Sequence, residues 1–213
     1  MTEYRTVKAF GSAEFTEKRS RFIGWCQPVQ TQEEAVAFVE NIRSRHWDAT
    51  HNVYAYRLRD GQLQRYSDDG EPQGTAGMPV LDVLQKSNLV DVVVVATRYF
   101  GGILLGGGGL VRAYSHTSSI AVQAAGIVRM CPCDLMTVSC DYSRYGRLAS
   151  LIPECGGVID DTRFTEEVSL DFHMPPACVP LFEKRLADAA NGQLHARKTG
   201  EKYFEEAVTG EEK

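Results

Sequence analysis

The chain has 213 residues, of which 43% are hydrophobic, 24% charged and 9% aromatic. These proportions exclude disordered and fibrous classes and suit one or two domains with ordinary cores. The net charge of -5 is unevenly spread: residues 1–130 hold 14 Lys and Arg against 13 Asp and Glu, and residues 131–213 hold 9 against 15. Binding to a polyanion must therefore be local and falls to the first part of the chain.

No apolar run reaches the roughly 18 to 20 residues that a membrane-spanning helix needs, the longest being 89–96 and the interrupted stretch 103–111. Residues 1–10 lack a basic head followed by an apolar block, so a cytosolic protein with no membrane partner is expected. Cysteines at 26, 131, 133, 140, 155 and 178 are too sparse for a disulfide framework and read as free thiols.

In chain order, alternation predicts two or three strands within 4–29, broken at Gly11 and Gly24. Thr31 and Glu34 form a capping box, and Ala35, Phe38, Val39 and Ile42 give an amphipathic helix ending near His46. A strand over 50–58 leads to a long Gly-containing loop over 60–77, a length that in compact domains is uncommon and usually functional or disordered. A helix over 78–87, a Val-rich buried strand over 90–97 and a glycine run over 101–109 follow. A helix over 110–125 closes this part, capped by Gly126.

A boundary near 131 separates a domain of residues 1–130 from one of 131–213, with Cys131-Pro132-Cys133 read as linker. Strands at 135–140, 157–164, 167–173 and 193–204 and helices at 142–151 and from 175 onward give the order β-α-β-β-α-β, the split βαβ of ferredoxin-like domains. The charged tail 205–213 is expected to fray.

Two constellations can carry chemistry. The first is the loop with Asp68, Asp69 and Glu71, whose carboxylates either hold a divalent cation or cap Gly-containing turns. The second is Arg98-Tyr99-Phe100-Gly101-Gly102, continued by Gly106, Gly107, Gly108, Gly109 and Arg112. Glycines at a helix N-terminus let backbone N–H groups converge on an anion, but they equally permit tight packing with no ligand. Neither the Walker motif nor G-x-G-x-x-G is present.

Tyr99, Phe100 and Tyr114 offer rings for base stacking beside Arg98 and Arg112. The competing use pairs both arginines with Asp68, Asp69 or Glu71, holding the loop down while the rings join the core. His46 and His51 are too poorly spaced for a shared metal and read as solvated. No G-x-S-x-G elbow supports a hydrolase triad, and no catalytic residue or metal ligand is assigned.

Tyr54-Ala55, Asp68-Asp69-Gly70-Glu71-Pro72, Gly74-Thr75-Ala76-Gly77, Thr97-Arg98-Tyr99-Phe100-Gly101-Gly102, Leu105-Gly106, Gly109-Leu110 and Arg112-Ala113-Tyr114 together resemble the YigZ/IMPACT family of translation-associated proteins, in its two-domain bacterial branch. The resemblance covers about residues 15 to 125. It implies an N-terminal two-layer α/β domain like domain IV of elongation factor G and a ferredoxin-like C-terminal α+β domain like that factor's domain V. Eukaryotic relatives bind the scaffold that activates an initiation-factor kinase through an extra N-terminal domain, and that partner is not carried over.

The expected function is binding of RNA or a ribosomal component in translation. Arg98, Arg112 and the backbone of Gly101 to Gly109 would contact phosphate and Tyr99 or Phe100 would stack, while Asp68, Asp69 and Glu71 orient the arginines. Two alternatives stand beside it: an enzyme on a small phosphorylated substrate, with Mg²⁺ on the three carboxylates, and a protein-binding scaffold. No cofactor other than that Mg²⁺ is expected, and the oligomeric state is open.

Overall fold

Strand β6 (Val92–Tyr99) is buried along seven of its eight residues, and the first half of the molecule is built around it. The computed structural model describes residues 2–207, with one compact unit over Tyr4–Arg129 and another over Met130–Glu206. In the first unit β1 (Tyr4–Val7), β2 (Gly11–Glu17) and β3 (Ser20–Pro28) precede helix α1 (Gln32–Arg45). Then come β4 (His51–Arg57), β5 (Gln64–Ser67), α2 (Gly77–Lys86), β6 and α3 (Gly107–Ala125). The sheet runs β2-β3-β6-β4-β5, every neighbouring pair antiparallel.

Residues of β6 alternate between two apolar layers. Val92, Val94 and Ala96 share a core with Val80, Leu81 and Leu84 of α2 and Leu110, Tyr114 and Ala121 of α3. Val93 and Val95 face the other way, onto Ala35, Phe38, Val39 and Ile42 of α1. A strand covered by helices on both faces is apolar throughout instead of alternating, which is why β6 reads as a Val run. Helix α1 thus adds a third layer to the two expected. It starts at the predicted cap, with the Thr31 side chain accepting from Glu34 N at 3.2 Å.

Three boundaries differ from expectation. Strand β5 lies inside the predicted loop: four residues long and mostly exposed, it has no buried face to print a pattern. Helix α3 begins at Gly107, three residues early, because its packing on the sheet outweighs the poor helix propensity of glycine. Cys131-Pro132-Cys133 is not a linker but lies within β7 (Ile127–Cys140), and Cys26, Cys133, Cys140, Cys155 and Cys178 are free thiols.

In the second unit β7 is followed by α4 (Tyr142–Glu154), β8 (Val158–Phe164), β9 (Val168–Met174), α5 (Val179–Ala190) and β10 (Arg197–Ala207). The strand order β8-β9-β7-β10 is that of the split βαβ fold. Leu148, Leu151 and Ile152 of α4 and Phe182 and Leu186 of α5 cover Met136, Val138, Leu170 and Phe172 on one sheet face. Glu205 and Glu206, expected in the frayed tail, belong to β10; residues 208–213 of that tail lie outside the described residues.

Gly24 fixes the distance between α3 and the sheet. A Cβ there would lie 2.5 Å from the Thr117 carbonyl oxygen and 2.8 Å from Ala121 Cβ. Gly24→Ala is therefore expected to cost about 1–3 kcal/mol through overpacking, measured by urea denaturation, whereas Gly74→Ala, where a Cβ meets no atom within 4 Å, acts through its backbone φ of 76° alone.

Candidate functional site

Strand register gathers the chemistry-bearing loops at one end of the N-terminal sheet. Arg98 near the end of β6 lies opposite His51 at the start of β4, and Tyr99 lies opposite Arg21 at the start of β3. The turn after α1 (46–50), the β2–β3 turn (18–19), the loop 68–76 and the loop 100–106 therefore share that end.

At its centre is a buried ion pair. Arg98 Nη1 donates to Glu71 Oε1 at 2.6 Å, with side-chain exposures of 5% and 4%. The hydroxyl of Tyr114, itself fully buried, donates to the same oxygen at 2.7 Å, and His51 Nε2 lies 3.7 Å away. Burial, then the adjacent carboxylate, pushes the Tyr114 phenol far above its ordinary range, so it stays a donor. Arg98 Nη2 donates to Ser20 Oγ, which also accepts from Gly101 N. The guanidinium carbon lies 5.4 Å from the ring centres of both Phe22 and Phe100. Its Nε is buried without a hydrogen-bond partner among the described residues.

The neighbouring carboxylates are committed elsewhere. Asp68 accepts from the backbone N–H groups of Gly74, Ala76 and Gly77 at 2.9, 3.1 and 2.8 Å, so it serves the start of α2, whose N-cap Ala76 has no side-chain acceptor. Asp69 accepts from Asn52 N at 2.6 Å and from Arg43 Nη2 at 3.0 Å, and its own carbonyl meets His51 Nδ1 at 2.8 Å. The Mg²⁺ reading thus finds each of its three carboxylates already hydrogen-bonded by protein donors. No group of three metal-ligating side chains is placed to share an ion among the described residues.

This geometry changes the roles expected of several residues. Arg98 and Tyr114 are sealed in the core and do not reach a ligand from outside. His51 is not solvated, having given both ring nitrogens to the loop. Gly101 packs so closely on the Arg19 backbone that a Cβ would overlap it, which makes this glycine structural. The Tyr99 hydroxyl donates to Asp48 Oδ1 at 3.2 Å and lies 2.8 Å from His46 Nδ1, so its ring is anchored instead of free. Phe100 is 45% exposed, one face turned to Arg98. Asp68 and Asp69 orient neither predicted arginine; Glu71 alone does, for Arg98.

Arg112 and the rest of the glycine run stay open. Arg112 is exposed on the first turns of α3 and has no ion pair among the described residues. A Cβ on Gly102, Gly106 or Gly108 would meet nothing within 4 Å, and on Gly107 only the Thr75 methyl at 3.9 Å. The N-cap Gly106 supplies no side-chain cap to α3. Ser20, Asn52 and Arg43 are site residues that sequence reasoning missed; nothing in their spacing marks them, since each acts across strands. Lys18 and Arg19, which form the β2–β3 turn, were missed as well, since Lys-Arg carries none of the usual hairpin-turn signals.

Removing one partner of the buried pair leaves the other charge unpaired. Arg98→Ala and Glu71→Ala are each expected to lower stability by about 3–5 kcal/mol in urea denaturation. The double replacement Arg98→Met/Glu71→Leu should recover part of that loss, since no unpaired charge is left behind.

Comparison with known proteins identifies the family. The family model described as the Impact N-terminal domain matches residues 18–122, and that of a domain of unknown function (DUF1949) matches residues 138–193. The chain is 36% identical over 206 residues to IMPACT family member YvyE of Bacillus subtilis, covering 96% of this chain and 95% of that protein. It is 38% identical over 180 residues to IMPACT family member YigZ of Escherichia coli, covering 83% and 88%. A crystal structure of a hypothetical protein, 35% identical, superposes with a TM-score of 0.59 over 94% of this chain and 98% of that one. With a relative of this identity matched nearly end to end, the chain belongs to the IMPACT family.

Proposed function

We propose that this protein binds single-stranded RNA, with a ribosomal segment as the natural target, through the loop end of its N-terminal unit. One observation carries the reading: α3, 19 residues long, starts with three glycines and no side-chain cap, and its exposed Arg112 lacks a carboxylate partner among the described residues. Uncapped N–H groups and the positive end of the helix dipole favour an anion, and glycines let a phosphate approach the backbone. Phe100 and Leu104, 45% and 80% exposed, belong to the adjoining loop, and Trp47, 83% exposed, belongs to the turn after α1. A flat or apolar surface beside a cation suits an unstacked base and its phosphate.

The buried pair supports this surface from beneath, with the Arg98 guanidinium 5.4 Å from the Phe100 ring centre. It ties loop 68–76 to β6 and α3 through Glu71, and the β2–β3 turn to β6 through Ser20. A second reading, docking of a protein, rests on Leu104 and Trp47, whose exposure exceeds what isolated surface residues usually show.

The two readings separate in a salt series. RNA binding predicts that log affinity falls with log salt by about 0.7 per phosphate contact, and that Arg112→Ala reduces the slope by about that amount. Phe100→Ala should weaken binding by about 1–3 kcal/mol per base stacked with little change in slope. Unchanged affinity in Arg112→Ala/Phe100→Ala would overturn the proposal, and salt-insensitive binding to ribosomes lost in Leu104→Asp would favour the protein-docking reading.

A further inference from the structure

Beside α3 the structure holds a cavity of about 210 Å³ that none of the expected site residues except Gly109 and Arg112 touch. Lys18, Arg112 and His116 line it, with Glu17 as its one carboxylate and Phe15 in its wall. Arg112 and His116 are one helical turn apart on α3 and present the same face to the end of β2. The Phe15 ring meets the His116 ring edge-on with centres 4.7 Å apart, which holds the imidazole at the cavity. Two permanent cations and an imidazole against one carboxylate make the lining an anion receptor. At about 30 Å³ per water, the volume equals roughly seven waters, enough for a phosphate and its ester carbon but below the range for a whole drug-sized ligand.

The way Lys18 reaches the cavity is unusual. Glu17 pairs with Ser20, so Lys18 and Arg19 alone make the β2–β3 turn, with φ of 44° and 63°. A two-residue turn with both φ positive is the geometry that Asn-Gly adopts without strain. Here two long basic side chains occupy it, and neither has a carboxylate partner among the described residues. Stability would be served by Asn-Gly; the turn keeps charge instead.

We propose that this cavity is a subsite for a phosphate monoester, bound by Lys18, Arg112 and His116. Two sources present that group: the 5′ end of an RNA strand, in which case the subsite extends the RNA reading above, and a free nucleoside monophosphate, in which case it stands without it.

The test titrates the full-length protein with inorganic phosphate, with a nucleoside 5′-monophosphate, and with one single-stranded RNA in 5′-phosphorylated and 5′-hydroxyl forms. His116 ring signals in NMR and binding by calorimetry are the readouts. Monoesters are expected to shift the His116 signals, and the 5′-phosphorylated RNA to bind about tenfold tighter than its hydroxyl form. Lys18→Asn/Arg19→Gly should abolish both effects while raising the melting temperature by a few degrees, since Asn-Gly relieves the turn. That rise separates a binding role from a structural one and guards against a misfolded variant. Equal affinity of the two RNAs together with unmoved His116 signals would overturn the subsite and leave the RNA surface standing. Monoester binding that persists in the variant would also overturn it, by placing the ligand elsewhere. Monoester binding with no affinity for either RNA would support the subsite with a free nucleotide as its ligand and overturn the RNA reading.

Discussion

The buried pair between Arg98 and Glu71 is the constraint on which the loop end of the N-terminal unit depends. Removing two charges from water costs several kcal/mol per ion, and mutual attraction offsets this only where the remaining hydrogen-bonding groups are also met. Here Glu71 gains the Tyr114 hydroxyl, and Arg98 gains Ser20 Oγ and two aromatic rings. These partners come from three segments, Ser20 and Phe22 from β3, Tyr114 from α3 and Phe100 from the 100–106 loop. Satisfying one ion pair therefore fixes the relative positions of all of them. The Arg98 Nε, buried without a hydrogen-bond partner among the described residues, is the exception.

Because that pair sits inside, the surface it positions must be read from residues it does not use. Sequence spacing brought Arg98 and Arg112 together as flanks of one glycine run, yet they have opposite fates. Arg98 follows a strand whose alternation turns it toward α3, whereas Arg112 lies on the solvent side of a helix. The glycines divide in the same way. Gly24 and Gly101 exist for close approach of backbone, since a Cβ at either would collide. Gly102 and Gly106 have open space but φ of 81° and 74°, which favour glycine, and only Gly108 would accommodate one freely. A glycine inside a helix costs about 1 kcal/mol relative to alanine; Gly109 has a packing reason, since a Cβ there would lie 3.0 Å from Leu105 Cβ, whereas Gly108 has open space around it.

What was legible in the sequence was whatever a long period or a local cap could print. Helix α1 has a capping box and an apolar stripe; β6 is apolar because both its faces are covered; the β-α-β-β-α-β order of the second unit follows from its alternating periods. What was not legible depends on partners far apart in the chain. The four residues of β5 pair with β4 through backbone alone, so no side-chain pattern marks them. Strand β7 runs through Cys131-Pro132-Cys133, a triplet whose proline and charge shift imitate a linker. His51 and Asn52 look like ordinary residues at the start of a strand until Asp69 is seen to accept from the Asn52 backbone N–H through its carboxylate and from a His51 ring nitrogen through its carbonyl.

Charge totals misdirect in both units for the same reason. A net of +1 over residues 1–130 suggests no affinity for polyanions, but many of those carboxylates are consumed: Asp68 on a helix start, Asp69 on Arg43, Glu71 in the core and Glu14 on Arg21. Lys18, Arg19 and Arg112 are left without such partners among the described residues, all at the same end of the sheet. In the second unit the open face of the ferredoxin-like sheet, a common platform for RNA, carries Asp161 and Asp171 around a single Arg163 that both engage. A phosphate approaching Arg163 would meet both of these carboxylates, a repulsion that salt screens over about 8 Å under physiological conditions. The fold of that unit is one that RNA-binding proteins use, but a fold alone assigns no function, and on this face Arg163 is already engaged by two carboxylates.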